Sequence, residues 1–146
     1  ILTPPHSDNP LIINLLAHER IPFARIGSLE PGPGLPMTMG DEGAAHLATK
    51  RLVELGHRRI GFIAGPTNYH IADWRIEGWR RAMNEAGLAT EGLCERGDFG
   101  FDSGLVAAGK LLALDPRPTA IIASSDQMAT AALETARQRG LRIPED

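Results

Sequence analysis

The residue best suited to hold a small polar molecule in this 146-residue chain is Arg75. It stands just inside the start of a segment with helical spacing, Ile71–Ala86. A guanidinium placed there can donate two parallel hydrogen bonds to vicinal hydroxyls or to a carboxylate. The competing reading is a solvated helix arginine beside Glu77. Ser125 and Asp126 meet at a strand-to-helix junction, where Asp126 is expected as the N-cap ahead of a role as ligand contact. Tyr69 and Asp73 flank the same end of the sheet by the order of elements, and either also reads as surface decoration. The chemistry these residue types offer is recognition by hydrogen bonding.

Bond-making machinery is not legible in the same way. There is no Gly-x-Ser-x-Gly elbow and no phosphate loop. Gly104 to Lys110 approaches the latter, but Leu111 stands where the metal-binding hydroxyl belongs. The glycines from Gly27 to Gly34 are interleaved with Pro31 and Pro33, which cannot open a helix as a dinucleotide turn does. Cys94 has no base near it in sequence. His6, His18, His46 and His70 lack metal-ligand spacing, and the pair His6 and Asp8 is not a zinc site. His57 beside Arg58 and Arg59 admits a phosphate site, but positive charge also suits a helix C-terminus. The expectation is no enzyme, no metal and no cofactor.

Composition sets the frame. Hydrophobic residues make up 42 % and charged residues 23 %, which fits a globular domain. The net charge of −3, with both signs interspersed, gives this chain no footprint for nucleic acid. One cysteine excludes an internal disulfide and fits a reducing, cytoplasmic home. No run of about 18 apolar residues predicts a membrane span. The ends read like interrupted strands, so a piece of a longer protein is expected.

Short apolar runs alternate with helical stretches, the pattern of an α/β layer structure. Helices are expected near Asn9–Glu19, Asp41–Leu55, Ile71–Ala86, Asp102–Leu112 and Asp126–Arg139. Strands are expected at Ile21–Ile26, Ile60–Ala64, Leu93–Arg96 and Ala120–Ala123. Ile60–Ala64 is apolar on both faces, as a buried parallel strand would be. Asp41 is expected to cap its helix, with Ala44, Leu47, Ala48, Leu52 and Leu55 on the inward face. Ser28–Pro36, crowded with Gly and Pro, reads as neither helix nor strand and as a connection between lobes. Such β-α units close into a parallel sheet flanked by helices (α/β/α).

Five stretches then fall in register with one family. Gly56-His57-Arg58-Arg59-Ile60-Gly61-Phe62-Ile63-Ala64-Gly65-Pro66 resembles the helix stop, strand and loop of the effector domain of lactose-repressor (LacI/GalR) family regulators. Arg75-Ile76-Glu77-Gly78-Trp79, Gly97-Asp98-Phe99 with Ser103-Gly104, Arg117-Pro118-Thr119-Ala120-Ile121 with Ser125-Asp126-Gln127-Met128-Ala129, and Gly140-Leu141-Arg142-Ile143-Pro144-Glu145-Asp146 continue the likeness. Ile1–Ile26 fits more loosely, and Gly40-Asp41 stands where the family often has Asp followed by Asp or Asn.

The resemblance implies a periplasmic-binding-protein-like lobe over residues 40–146 and the tail of an N-terminal lobe over 1–39, with the crossover near Met37–Gly40. It implies a ligand-contacting Arg75, an aromatic Phe99 that stacks on a sugar or base (a core Phe is the alternative), and Ser125 in place of a ligand-reaching Asn. Thr3 and Ser28 match contact positions on the other lobe. It further implies a small, sugar-like effector and a homodimer whose contact includes helix Asp126–Arg139, with Ala129, Ala131, Ala132 and Ala136 allowing close approach. DNA would be bound only through a headpiece outside this chain, and there would be no membrane. The alternatives are a periplasmic sugar-binding protein of a transport system and a Rossmann-like enzyme.

Overall fold

A computed structural model describes residues 1–146. Two parallel sheets organise the chain, one on each side of residue 40. The first pairs β1 (Ala24–Ile26) with β2 (Leu35–Met37), and Leu2 bridges to Arg25 on the other side. Beside it stand a short 3-10 turn, His6–Asp8, and helix α1 (Pro10–His18). Asn9 caps α1 by accepting from the Leu11 N–H at 3.0 Å, and Pro10 opens the helix where its missing N–H is harmless. Buried in this part is Arg25, which meets Asp8 at 3.2 Å and donates to the Glu30 carbonyl at 2.5 Å. That cation ties the turn to the loop after β1.

The second sheet has the order β4-β3-β5, with β3 (Ile60–Ala64) in the centre, β4 (Cys94–Arg96) and β5 (Ala120–Ala123) at its sides. Helices α2 (Asp41–Glu54), α3 (His70–Glu85), α4 (Phe101–Leu111) and α5 (Asp126–Gln138) alternate with these strands. All of β3 is buried, as its two-faced apolar run predicts. Trp79, Ile76 and Met83 of α3 pack with Phe62 and Leu93 on one face, while Ala107, Leu111 and Met128 pack with Ile63 on the other. The Trp79 Nε1–H donates to the Ile60 carbonyl at 3.2 Å, which satisfies its one polar atom. Burial pushes the Cys94 thiol above its ordinary value, so it stays protonated. No helix is long and apolar enough to cross a membrane.

Four expectations are corrected. Leu35 and Pro36 belong to β2, so the Ser28–Pro36 stretch ends in a strand; Pro36 lies in an exposed strand with β1 on its only paired side. Asp41 is the first residue of α2 and not its cap, a place taken by Gly40 in the left-handed conformation (φ 67°). The inward face of α2 is Asp41, Ala45 and Thr49, whereas Leu47 and Leu55 are exposed. The reason is a very close crossing of α2 on α3 at Gly78, where a Cβ would lie 2.1 Å from the Glu42 carbonyl, which leaves no room for a leucine. Ala131 and Ala136 of α5 are buried within the chain, and a Cβ at Gly104 of α4 would lie 2.8 Å from that of Ala131. The outer face of α5 presents Thr130, Leu133 and Arg137 instead.

Candidate functional site

The three strands of the second sheet are parallel, so their carboxyl ends and the loops that follow lie at one edge, the usual place for a ligand in an open α/β sheet. Gly65 follows β3, Gly97 to Phe99 follow β4, and Ser124 and Ser125 follow β5. Arg75, one and a half turns into α3, reaches this edge. Its Nε–H donates to Asp41 Oδ1 at 2.7 Å, its second terminal nitrogen meets the same oxygen at 2.7 Å, and its first donates to the Ser124 carbonyl at 2.7 Å. The guanidinium is thus fixed between the start of α2 and the end of β5, with about a third of the side chain exposed. A rigid donor of this kind loses little freedom when it binds.

Phe99, in the loop after β4 at the same edge, is under backbone strain. Its φ of 72° is left-handed, a conformation that costs a non-glycine residue about 1–2 kcal/mol. Two contacts hold it there. The Ser125 hydroxyl donates to the Phe99 carbonyl at 2.8 Å, and the Tyr69 ring meets the Phe99 ring edge-on at 5.3 Å between centroids. Gly65 supplies the floor, since a Cβ there would lie 2.1 Å from the Phe99 ring. Gly65→Ala is therefore expected to push the ring off its seat. Because the displaced atoms are the far end of a side chain, the fold should survive while the Tyr69–Phe99 edge contact is lost. A melting curve beside near-ultraviolet circular dichroism would check both halves.

Ser125, not Asp126, is the N-cap of α5: its Oγ accepts from the Met128 N–H at 3.2 Å. Asp126 is the first helical residue, exposed, with its carboxylate free at the mouth of a shallow hollow lined also by Asp98, Phe99, Gly100 and Gln127. The Ser103 hydroxyl and the Gly100 N–H hold the Asp98 carboxyl at this mouth below its ordinary value. Asp73 is engaged by Arg96 at 2.5 Å, and Arg96 also donates to the Gly65 carbonyl at 2.9 Å; Asp73 thus braces the loop after β3.

On the facing wall, Gly27 approaches both Pro4 and the start of α3: a Cβ there would lie 3.2 Å from Pro4 and 3.3 Å from Ile71. Thr3 and Ser28 adjoin these two positions, Thr3 exposed and Ser28 buried, and neither side chain makes a hydrogen bond to protein. A hollow of about 450 Å³ opens there between Pro4–Leu11 and Asn68–Ile71. Sequence reasoning missed Asp41 as the partner of Arg75, Ser124 as its carbonyl acceptor and Gly65 as the seat of Phe99. His57 lies at the opposite end of the sheet, bound to Thr119 Oγ1 at 2.9 Å.

A parallel α/β lobe with helices on both faces of its sheet is the class of fold these elements define, and the comparisons agree. A family profile described as a periplasmic binding protein-like domain matches residues 49–146. The HTH-type transcriptional regulator CelR of Thermobifida fusca is 45 % identical over 71 % of this chain and 31 % of its own length. The HTH-type transcriptional repressor CytR of Escherichia coli (strain K12) is 37 % identical over 90 % of this chain and 43 % of its own length. Among solved structures, a regulatory protein of the LacI family from Chloroflexus aggregans superposes with a TM-score of 0.87 at 32 % identity, over 99 % of this chain and 53 % of that one. A CelR–cellobiose complex gives 0.85 at 38 %, over 99 % and 45 %.

The chain belongs to the LacI family of transcriptional regulators and carries its periplasmic-binding-protein-like fold. These relatives are regulators and not enzymes, and they do not favour the transport-protein alternative. The chain spans less than half the length of the two curated relatives.

Proposed function

We propose that this chain supplies most of the C-terminal lobe (residues 40–146) and the end of the N-terminal lobe (residues 1–39) of an effector-sensing domain. The effector is a sugar or related metabolite held between the lobes, and its binding controls how a headpiece outside this chain sits on an operator. The supporting observation is the clamped guanidinium of Arg75 at the same sheet edge as the strained Phe99, whose carbonyl Ser125 holds and whose ring Tyr69 meets edge-on. Arg75 donates to hydroxyls, Phe99 gives the sugar ring an apolar face, and Asp126 accepts at the rim; Thr3 and Ser28 close over the other side. Such a cleft regulates only if the effector prefers one arrangement of the lobes. That the relatives are DNA-binding regulators, one of them solved with cellobiose, supports this reading. The setting is cytoplasmic, and the working form is a homodimer. Its contact includes the outer face of α5 with the neighbouring Phe101 and Leu105 of α4, where Leu133, Leu141 and Ile143 leave apolar surface open.

Thermal-shift screening of the full-length protein with sugars, nucleosides and small acids tests the reading. A ligand present at 100 times its Kd adds about 2.7 kcal/mol to stability, a shift of several degrees. Arg75→Ala should abolish that shift, and His57→Ala, at the far end of the sheet, should leave it intact. A stabilising ligand that ignores Arg75→Ala would place the site elsewhere.

A further inference from the structure

The partner of Arg75 has a consequence for what the cleft accepts. Asp41 is 6 % exposed and directs one oxygen at the guanidinium; its other oxygen, Oδ2, is buried with no hydrogen-bond partner. No other basic side chain forms an ion pair with it. Arg75 is therefore the one cation paired with this carboxylate, which otherwise has only the positive end of α2 to offset its removal from water, an arrangement that becomes costly when the cation is drawn away. Arg75 has five N–H groups, and Asp41 and the Ser124 carbonyl engage three of them. Two remain for a ligand, with the buried and unpartnered Ser124 Oγ close by.

We infer that Asp41 is a specificity-determining residue of this cleft, which makes Arg75 a donor to uncharged hydroxyl-bearing effectors and sets it against the corresponding acids. The inference rests on the effector reading above. A neutral hydroxyl takes an N–H hydrogen without competing for the charge. A carboxylate or phosphate on the same two N–H groups has to share one cation with Asp41 at close range in a partly dry site, where like charges repel strongly. The carboxylates of Asp98 and Asp126 at the rim add to the same negative field and bring no compensating cation of their own. Discrimination here comes from a built-in repulsive element as much as from attraction. Asp41 thus acts through Arg75, as a positioning residue that also fixes the charge of the subsite.

The test uses matched pairs on the full-length protein: glucose with glucuronate, galactose with galacturonate, and cellobiose with cellobionate, titrated by calorimetry. In the wild type, the neutral member of the binding pair should be favoured by at least about tenfold. Asp41→Asn keeps an oxygen for the Arg75 Nε–H and removes the charge, so the gap should close to about threefold or less. Asp41→Glu restores the charge and should restore the gap, even at lower absolute affinity. Loss of fold alone would weaken both members together and leave their ratio unchanged. An acid that binds the wild type as tightly as its neutral partner overturns the assignment without help from any variant. So does a gap that persists in folded Asp41→Asn, and in both cases the effector cleft stands. If no member of any pair binds the wild type, a hydroxyl-rich sugar is not what this cleft accepts and this inference falls, while the wider effector reading is decided by the thermal-shift screen.

Discussion

Trp79→Ala should lower the stability of the chain by about 3–5 kcal/mol, a large part of what a domain of this size possesses. Trp79 has no exposed surface and sits at the centre of the cluster formed by Ile60, Phe62, Ala64, Ile76, Met83 and Leu93. Its ring lies against Phe62 at 5.6 Å and 29°, and its Nε1–H satisfies a carbonyl of the central strand. Truncation removes the ring, its apolar area and that hydrogen bond at once. Because β3 is fully buried between two helical layers, the surroundings have little room to collapse into the void. Trp79→Phe retains most of the area and should recover roughly half of the loss. Urea denaturation with the slope held constant would measure both. A loss under about 1 kcal/mol for Trp79→Ala would mean that the core is far less tightly built than its packing implies.

Its neighbour on the helix gives the second large effect, by the opposite means. Gly78→Ala adds one methyl group, yet the Cβ would stand 2.1 Å from the Glu42 carbonyl oxygen and 2.9 Å from the His46 nitrogen. Both are backbone atoms of α2, so no rotamer change relieves the clash and the two helices have to part. Ala is favoured over Gly in a helix by about 1 kcal/mol, so a net destabilisation of about 2 kcal/mol or more is expected only because the overlap outweighs that gain. Gly43→Ala, in the first turn of α2 with nothing within 4 Å of its Cβ, supplies the contrast. It should stabilise the chain by about 0.5–1 kcal/mol. Two identical chemical changes of opposite sign, followed by thermal melting, would show that proximity and not propensity rules position 78.

The same pair of helices marks where sequence reading gives out. The five helices and the strands of the second sheet appear in the sequence within a residue or two, because caps, glycine stops and apolar runs are local signals. The inward face of α2 does not. Leu47 and Leu55 look like core residues by type, but Gly78 on a distant segment decides that Ala45 and Thr49 face inward. Of the candidate site, Arg75, Phe99 and Ser125 are legible from type and position, and the structure places them along one edge of the sheet. Their partners are not legible: Asp41 is 34 residues from Arg75, and nothing at position 41 distinguishes a helix-capping Asp from one that clamps a guanidinium. Phe99's left-handed backbone is equally silent in sequence, since Gly and Asn, not Phe, announce that conformation. Asp126 shows the converse error, for an acidic residue at a junction looks like a cap until the neighbouring Ser125 takes the bond.

The near-contact of α2 with α3 also determines how the chain flexes. Since α2 is welded along its first turns to α3, and Asp41 is pinned to Arg75, the helix travels with the second sheet as one rigid body. The first sheet ends at Met37. Any swing of one sheet against the other must then be absorbed by Thr38, Met39 and Gly40, a three-residue fulcrum. At its last position a bare left-handed glycine has no atom within 4 Å of its missing side chain. A small rotation about that fulcrum would be multiplied by the length of the lever attached to it, and the proposed cleft residues would ride at the lever's near end.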